Sequence, residues 1–329
     1  MSTPSRQIKL GAFLMQTGHH IAAWRHPDAS ADAGQNFRHY VDLARKAEAA
    51  KFDAVFFADS VGVRNMHSAS LSRTARAEHF EPLTLLSALA AVTERIGLIA
   101  TVSTTYNEPY HVARKFASLD LISDGRSGWN LVTSSGEGEA QNFNLDTHVA
   151  HPLRYQRAEE FYDVVTGLWD TWEDDAFIRD KDTGEFFDAG KHHALHHKGR
   201  HFSVRGPLNV GRSPQGWPVV VQAGASEAGR DLAARTAEVI FVAHQTFDQA
   251  REFYGDIRQR AAQYGRDPDG IKIMPGIFPI VGRTQEEAEE KFQTLQDLIH
   301  PVVGVSLLSN MIGGCLLYTS DAADEGLGV

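Results

Sequence analysis

The stretch Ala54-Val-Phe-Phe-Ala58, followed at once by Asp59, decides the fold. An uninterrupted apolar run of this kind, closed by a polar residue, is typical of a strand that is buried on both faces. Before it, apolar residues from about Gln35 onward recur every three or four positions, which predicts a helix. After it, Pro82 opens a second helical pattern, because proline suits the first turn of a helix. Strand and helix therefore alternate, as they do around a parallel sheet.

The same alternation runs along most of the chain and predicts an α/β protein. The predicted strands are residues 8–15, 54–58, 96–102, 127–133, 219–222, 238–243 and 271–281. We predict a TIM-like (β/α)8 barrel that is truncated before its last strand, with a polar insertion at about residues 174–216. A doubly wound open sheet is the competing fold. The barrel is favoured because no Gly-x-Gly-x-x-Gly turn follows the first strand, and dinucleotide-binding open sheets usually carry that turn.

Composition argues against several classes of protein. The 329 residues carry 32 Lys and Arg against 42 Asp and Glu, a formal net charge of −10, without the basic stripe that a nucleic-acid partner requires. No apolar run approaches the roughly 18 residues of a membrane span, and residues 1–7 hold no apolar signal-peptide segment. The single cysteine, Cys315, permits neither an internal disulfide nor a cysteine-rich zinc site. We expect a cytoplasmic enzyme that acts on a small molecule.

Candidate functional residues lie at the carboxyl ends of the predicted strands, where parallel barrels build their active sites. The loop Gln222-Ala-Gly-Ala-Ser226 leads into a helix N-terminus, which favours an anion such as phosphate; Ser226 either binds that anion or caps the helix. His151 and Tyr155 share one helix face and form either a ligand-binding pair or a core-edge pair. His19 follows the first strand and is either a general acid or base or a structural histidine.

The five histidines between residues 192 and 201 lie in the polar insertion. They show no recognised metal-ligand spacing, and a solvated His-rich loop explains their number without a metal. We therefore expect no metal site.

Several strand-end segments match one known family. They are spread over residues 8–314 in the family's order: Thr17-Gly-His-His20, Ala23-Trp-Arg-His-Pro27, Lys51-Phe-Asp-Ala-Val-Phe-Phe-Ala-Asp59, Ser103-Thr-Thr-Tyr106, Gly128-Trp-Asn-Leu-Val-Thr-Ser134, Gly206-Pro-Leu-Asn209 and Gln222-Ala-Gly-Ala-Ser226. The chain resembles the flavin-dependent monooxygenases of the bacterial luciferase superfamily. Within it, the chain is similar to the branch of nitrilotriacetate, dibenzothiophene-sulfone and long-chain alkane monooxygenases.

The resemblance implies a TIM-like barrel that binds reduced FMN, delivered by a separate NAD(P)H:flavin reductase. With O2 as co-substrate, the reduced flavin would oxygenate a small organic substrate. A homo-oligomer is implied as well. The substrate itself stays open, because related scaffolds handle amine polycarboxylates, sulfones, thioethers and alkanes.

The resemblance also implies functions for individual residues. His19 corresponds to a candidate catalytic residue of the alkane-oxidising relative, but Thr17 stands where that relative has a cysteine, which argues against alkane hydroxylation. Two of the family's flavin contacts would lie near the isoalloxazine ring and two near the phosphate. Carried over by position, the flavin-binding residues are Asp59 and Thr101 for the ring, Tyr155 and Ser226 for the phosphate, and His151.

Beyond Gly314 the chain departs from the family, whose members continue with further helices, a last strand and its helix. Cys315-Leu-Leu-Tyr-Thr-Ser-Asp-Ala-Ala-Asp-Glu325 resembles the translation of a sequencing adapter, with a divergent natural tail as the alternative. We expect residues 1–314 to form an incomplete barrel and residues 315–329 to be a non-native tail. Unpaired strand edges at the open seam would then make the chain fold poorly and lower its activity.

Two other functions fit the same barrel. A deazaflavin-dependent oxidoreductase of the same superfamily would transfer a hydride without O2, although Thr17-Gly-His-His20 and Trp129-Asn130 favour the monooxygenase branch. A non-catalytic flavin-binding remnant would bind flavin without forming an oxygenated product.

Overall fold

The structure is a computed structural model that describes residues 7–63 and 68–312. The segment that begins at Cys315, predicted above to be a non-native tail, lies outside the described residues.

Seven parallel strands form one sheet within the described residues. In spatial order they are β1 (Gly11–Phe13), β2 (Ala54–Phe57), β3 (Gly97–Ser103), β4 (Ser127–Val132), β7 (Val219–Gln222), β8 (Val239–Val242) and β9 (Lys272–Pro275). A separate antiparallel pair, β5 (His197–Lys198) and β6 (Ser203–Val204), precedes β7. The sheet curls on itself, because the rings of Phe13 on β1 and Phe241 on β8 lie 5.5 Å apart although four strands separate them in the sheet. The predicted α/β, TIM-like barrel is confirmed.

Helices cover the outside of the barrel and begin where the sequence supplies capping groups. The side chain of Asn36 accepts a hydrogen bond from the main-chain N–H of His39, and that of Thr284 accepts one from Glu287. No helix in the described ranges is long and apolar enough to cross a membrane. The helices are α1 (Phe37–Ala49), α2 (Ser68–Leu71), α3 (Pro82–Ala90), α4 (Pro109–Ser123), α5 (Glu137–Gln141), α6 (His151–Trp169), α7 (Glu227–Thr236), α8 (Phe247–Gln263), α9 (Gln285–Asp297) and α10 (Pro301–Ile312).

Alternate residues of each strand face either the helices or the barrel axis. Ala100 on β3 and Trp129 and Leu131 on β4 belong to the core that the sheet shares with the helices. The Trp129 ring packs against Phe116 of α4 and Phe161 of α6, with centroid distances of 5.9 Å in each case. The residues between these core positions therefore face the barrel axis.

The last described strand, β9, is shorter than the apolar segment from which we predicted it. We predicted a strand over residues 271–281, but β9 ends at Pro275, and only the N–H of Gly276 still bonds to Val242, at 2.7 Å. Pro279 has no N–H to donate to a ladder. Ile277 is 84% exposed, so this apolar segment leaves the sheet instead of extending it.

The segment between α6 and β7 is tied to the barrel by a partly buried carboxylate. Glu160 of α6 accepts hydrogen bonds of 2.9 Å from the imidazole of His197 and from the main-chain N–H groups of His201 and Phe202. Burial alone would raise the pKa of Glu160, but these hydrogen bonds outweigh it and lower the pKa to about 2. The ionised carboxylate therefore fixes the β5–β6 turn onto α6.

Replacing Glu160 with glutamine should lower the free energy of unfolding by about 2 kcal/mol at pH 7, because the three donors lose a charged acceptor. The folded-state pKa of about 2 lies below the ordinary value of 4.5. The stabilisation is thus complete above the ordinary pKa and is lost as the pH falls from there toward 2. Urea unfolding between pH 7 and pH 3 would measure a flatter acid slope in the variant.

Glu159→Gln is the matched control, since Glu159 neighbours Glu160 but is 45% exposed and lies 4.0 Å from its partner Arg235. An exposed pair contributes little, so this variant should retain the full acid slope. Equal slopes in the unsubstituted protein and Glu160→Gln would contradict the assignment.

Candidate active site

The carboxyl ends of the seven strands surround a hollow at the barrel axis. Ala58, Ala223 and Ala243 come directly after β2, β7 and β8, and all three are exposed. Strand alternation places them above Phe56, Val221 and Phe241 on the axis-facing side. The rings of Phe56 and Phe241 stack with centroids 6.2 Å apart. Small side chains at the rim thus leave open space above an aromatic floor.

One group of predicted site residues converges at the N-terminus of α7. Ser226 caps this helix: its Oγ accepts a hydrogen bond of 3.1 Å from the N–H of Gly229 and donates to the Tyr155 hydroxyl at 3.4 Å. A Cβ atom on Gly229 would lie 2.9 Å from that hydroxyl and 3.0 Å from Cα of Gly224. The loop, the helix and the tyrosine are thus packed too tightly for a side chain at Gly229. We call Tyr155, Gly224, Ser226 and Gly229 the α7 cradle.

The α7 cradle has the electrostatic character of an anion site. The first N–H groups of α7 lack partners within the helix, and the helix dipole adds partial positive charge there. Arg230 donates from Nε to the carbonyl of Ala225 at 2.9 Å, which holds its guanidinium beside the loop, and from Nη1 to Asp256 at 3.2 Å, which pairs its charge. The exposed His151 ring packs against Tyr155 with centroids 4.8 Å apart. His151, Tyr155 and Ser226 are therefore brought together.

Thr101 lies inside the barrel, on β3. It pairs in register with Asn130 of β4, whose Nδ2 donates to Thr101 Oγ1 at 2.8 Å. Both side chains are 3% exposed. Asn130 Oδ1 is buried and has no hydrogen-bond partner among the described residues. A polar pair in which one hydrogen-bond acceptor is unused therefore faces the barrel axis just below the rim.

Asp59 lies two residues beyond β2, on another part of the rim. Its Oδ1 contacts Nε2 of His79 at 2.9 Å, and its side chain is 15% exposed. Both residues line a cleft that also includes Gln16, Ser60 and Arg76. Asp59 and Thr101 thus make their contacts away from the α7 cradle, on neighbouring strands of the same rim.

His19 is exposed and lies above the aromatic floor. Its ring packs edge-on against Phe13 with centroids 4.4 Å apart, and Nε2 lies 3.0 Å from the Phe13 carbonyl. A carbonyl only accepts, so in the neutral ring Nε2 carries the proton and Nδ1 is the acceptor. Gly18, with a φ of +110°, supplies the turn, and Arg76 donates to the carbonyls of Gly18 and His19 at 3.1 and 2.9 Å.

A buried carboxylate that we did not predict organises the rim. Glu139 of α5 is 7% exposed and accepts hydrogen bonds from the Ser60 hydroxyl at 3.2 Å and from the N–H of Gly136 at 2.8 Å. Ser134 continues the network to Ser103 at 2.8 Å. The ends of β2, β3 and β4 are thereby linked. The segment around Glu139 is polar and rich in glycine, so its sequence resembles a solvated loop and gives no sign of this burial.

A second unpredicted chain of contacts holds the start of α6. Arg154, 8% exposed, donates to the Ser134 carbonyl and to His148, whose other ring nitrogen contacts the Tyr106 hydroxyl. This chain fixes the helix that carries His151 and Tyr155. Across residues 7–63 and 68–312, no group of three or more His, Cys, Asp or Glu residues is placed to hold a metal ion.

Comparison with known sequences gives consistent relatives. The family model described as "Luciferase-like monooxygenase" matches residues 15–311. N-acetyl-S-(2-succino)cysteine monooxygenase of Bacillus subtilis is 58% identical over 315 residues, which cover 95% of this chain and 70% of the relative. Nitrilotriacetate monooxygenase component A of Aminobacter aminovorans is 47% identical over 316 residues, covering 94% and 70%.

Solved structures agree with these relatives. The crystal structure of a long-chain alkane monooxygenase superposes with a TM-score of 0.89 at 38% identity, covering 95% of this chain and 74% of that one. A riboflavin lyase solved with modified FMN gives a TM-score of 0.87 at 35% identity, covering 92% and 69%. The match extends over nearly the whole described barrel.

Proposed function

The chain belongs to the luciferase-like monooxygenase family, and on that premise we propose that it is the oxygenase component of a two-component system. It is a flavin-dependent monooxygenase. In the proposal, a separate NAD(P)H:flavin reductase supplies reduced FMN, and the chain uses it with O2 to oxygenate a small organic molecule. The name of the Aminobacter relative, component A, supports a partner component, and the riboflavin lyase with modified FMN supports FMN as the flavin.

The residues present fit a flavin mononucleotide, and the α7 cradle is the observation that carries the proposal. An added Cβ on Gly229 would fill the space beside the Tyr155 hydroxyl, so the cradle depends on glycine there. Free helix N–H groups and a serine hydroxyl are donors that a phosphate monoester prefers. The exposed alanines of the rim leave room at the axis for a planar ring.

When bound, reduced FMN supplies the electrons that activate O2 for transfer of one oxygen atom to the substrate. In the proposal, His151, Tyr155 and Ser226 bind the phosphate, while Asp59 and Thr101 orient the ring. The stacked rings of Phe56 and Phe241 form a floor that excludes water from below. The protein thus contributes binding, orientation and a water-poor surface.

The proposed substrate class is a small carboxylate-rich thioether or amine. N-acetyl-S-(2-succino)cysteine and nitrilotriacetate, which the names of the two relatives give, combine several carboxylates with a thioether sulfur and with a tertiary amine, respectively. These relatives are 58% and 47% identical to the chain, against 38% for the solved alkane monooxygenase. Thr17, in place of the cysteine of the alkane-oxidising relative, points the same way.

The proposal is tested with reduced FMN under controlled O2. The protein should bind reduced FMN, consume O2 and convert N-acetyl-S-(2-succino)cysteine or nitrilotriacetate, but not hexadecane, into one product or two cleavage products that together carry one added oxygen atom. Failure to bind flavin would overturn the proposal. Hydride transfer with deazaflavin in the absence of O2 would favour the oxidoreductase, and flavin binding without product would favour the non-catalytic remnant.

His19 is proposed to hold or move a proton at Nδ1, since Nε2 is engaged by the Phe13 carbonyl. Replacement by glutamine should lower kcat about a hundredfold, the low end for loss of a positioned acid or base. The FMN dissociation constant should not change, because His19 is not among the residues assigned to flavin. An unchanged kcat and pH profile would assign His19 a structural role only.

A further inference from the structure

Asn130 has an unused hydrogen-bonding atom inside the barrel. Its side chain is 3% exposed, and Oδ1 has no partner among the described residues. Buried acceptors are paired in the great majority of cases, because an unpaired one has lost its water without replacement. The amide oxygen of Asn130 therefore calls for a donor that the described chain does not supply.

The register of the sheet aims this atom at the hollow. Asn130 lies between Trp129 and Leu131, which both face the helices, so its own side chain faces the barrel axis. It pairs with Thr101 on β3 and with Val221 on β7. The bond from Nδ2 to Thr101 Oγ1, 2.8 Å long, fixes the amide and leaves Oδ1 as the open end.

The space below Asn130 is already filled, so a ligand can approach only from the rim. One inward position deeper on β4 is Gly128, where an added Cβ would lie 3.0 Å from Ile99 of β3. Two residues nearer the rim, Ser103 of β3, which is 5% exposed, pairs with Val132 of β4. Exposed alanines follow the strands β2, β7 and β8. Asn130 and Thr101 thus form the second axis-facing layer below the carboxyl ends of the strands.

We propose that Asn130 is a flavin-positioning residue whose Oδ1 accepts a hydrogen bond from a ring N–H of the isoalloxazine. The inference rests on the proposed function. A flavin ring carries one N–H in its oxidised form and further N–H groups when reduced, and it is planar and apolar enough to enter this hollow. The hydrogen bond to Thr101 prevents the Asn130 amide from turning. The acceptor atom is therefore fixed, and it sets the orientation of the flavin ring.

The test compares FMN affinity in the unsubstituted protein, Asn130→Ala and the control Leu131→Val. Alanine removes the acceptor without blocking the hollow, and it should weaken binding of both oxidised and reduced FMN about tenfold, as expected for one lost hydrogen bond. Leu131 is the next residue on β4 but faces the helices, so its variant should bind FMN normally. Quenching of FMN fluorescence measures the oxidised form, and anaerobic absorbance titration measures the reduced form.

Thermal unfolding with and without FMN separates binding from folding. FMN should raise the unfolding temperature less in Asn130→Ala than in the unsubstituted protein, whereas Leu131→Val should keep the full FMN-induced increase even if its own stability falls. Asn130→Ser serves as a second variant should the alanine protein not fold, since its shorter hydroxyl cannot replace Oδ1. Affinities within twofold of the unsubstituted protein would overturn the assignment of Asn130. Absence of FMN binding by the unsubstituted protein would instead overturn the proposed function.

Discussion

Replacing Gly229 with alanine is expected to weaken FMN binding about a hundredfold, since overpacking of a tight site costs a few kcal/mol and each tenfold in affinity is 1.4 kcal/mol. The new methyl group would lie 2.9 Å from the Tyr155 hydroxyl and 3.0 Å from Cα of Gly224. Both contacts are too close, so either Tyr155 leaves the cradle or the loop moves off α7. Each movement dismantles the proposed phosphate site.

Gly255→Ala is the matched control for this experiment. Gly255 lies in α8, and an added Cβ there meets no atom within 4 Å among the described residues. Alanine is the better helix former by about 1 kcal/mol, so this variant should be somewhat more stable and bind FMN unchanged. FMN titration and urea unfolding of both variants provide the comparison. If Gly229→Ala bound FMN with normal affinity, the assignment of the phosphate to the α7 cradle would be wrong.

The barrel could be predicted because the buried strands β2, β3, β4 and β7 carry apolar runs in their own residues. The run from Ala54 to Ala58 is apolar at every position, and the structure forms β2 there, packed on both faces. Periodicity could not set the ends of strands, as residues 271–281 show. Isoleucine is a residue type that favours strands, but Ile277 would join the sheet only if a neighbouring strand paired with it, and local sequence does not show whether one does.

The candidate site was predictable only where the chemistry lies within one segment. Ser226 stands at a loop-to-helix junction, so its cap and anion interpretations could be read locally. Asn130 and Thr101 lie 29 residues apart and meet only through the register of β3 and β4. Asp59 and His79 likewise meet only across the rim. Such polar pairs form only once the strands are assembled into the sheet.

The two ends of the barrel have different roles: one carries the proposed ligand-binding groups, and the other carries hydrogen bonds that stabilise the fold. At the carboxyl ends of the strands, the α7 cradle offers the N–H groups of a helix N-terminus to a ligand, and just below the rim Oδ1 of Asn130 has no partner among the described residues. At the opposite end, the Arg126 guanidinium donates five hydrogen bonds within the chain. The acceptors are the Thr93 hydroxyl and main-chain carbonyls, among them those of Ala90 and Ile96. Substitutions at this second end should change unfolding and spare flavin binding.

Asp120→Ala is the sharpest test of that division, and we expect it to lower the free energy of unfolding by about 4 kcal/mol. Asp120 of α4 is fully buried. It accepts from the N–H and hydroxyl of Ser127 at 3.1 and 2.8 Å and from the side chain and N–H of Gln215 at 2.5 and 3.2 Å. Alanine leaves these donors buried without an acceptor and detaches α4 from the starts of β4 and β7.

Asp120→Asn should fall between alanine and the unsubstituted protein, with a loss of about 2 kcal/mol, because one acceptor oxygen becomes an amino group that must face a donor. Asp248→Ala controls for the lost charge, since that side chain is 85% exposed and should change stability by less than about 0.5 kcal/mol. Urea unfolding gives the three free energies, and FMN titration below the unfolding transition should give equal affinities. If folded Asp120→Ala lost FMN affinity, the two ends of the barrel would be coupled, and their separation into a binding end and a stabilising end would have to be abandoned.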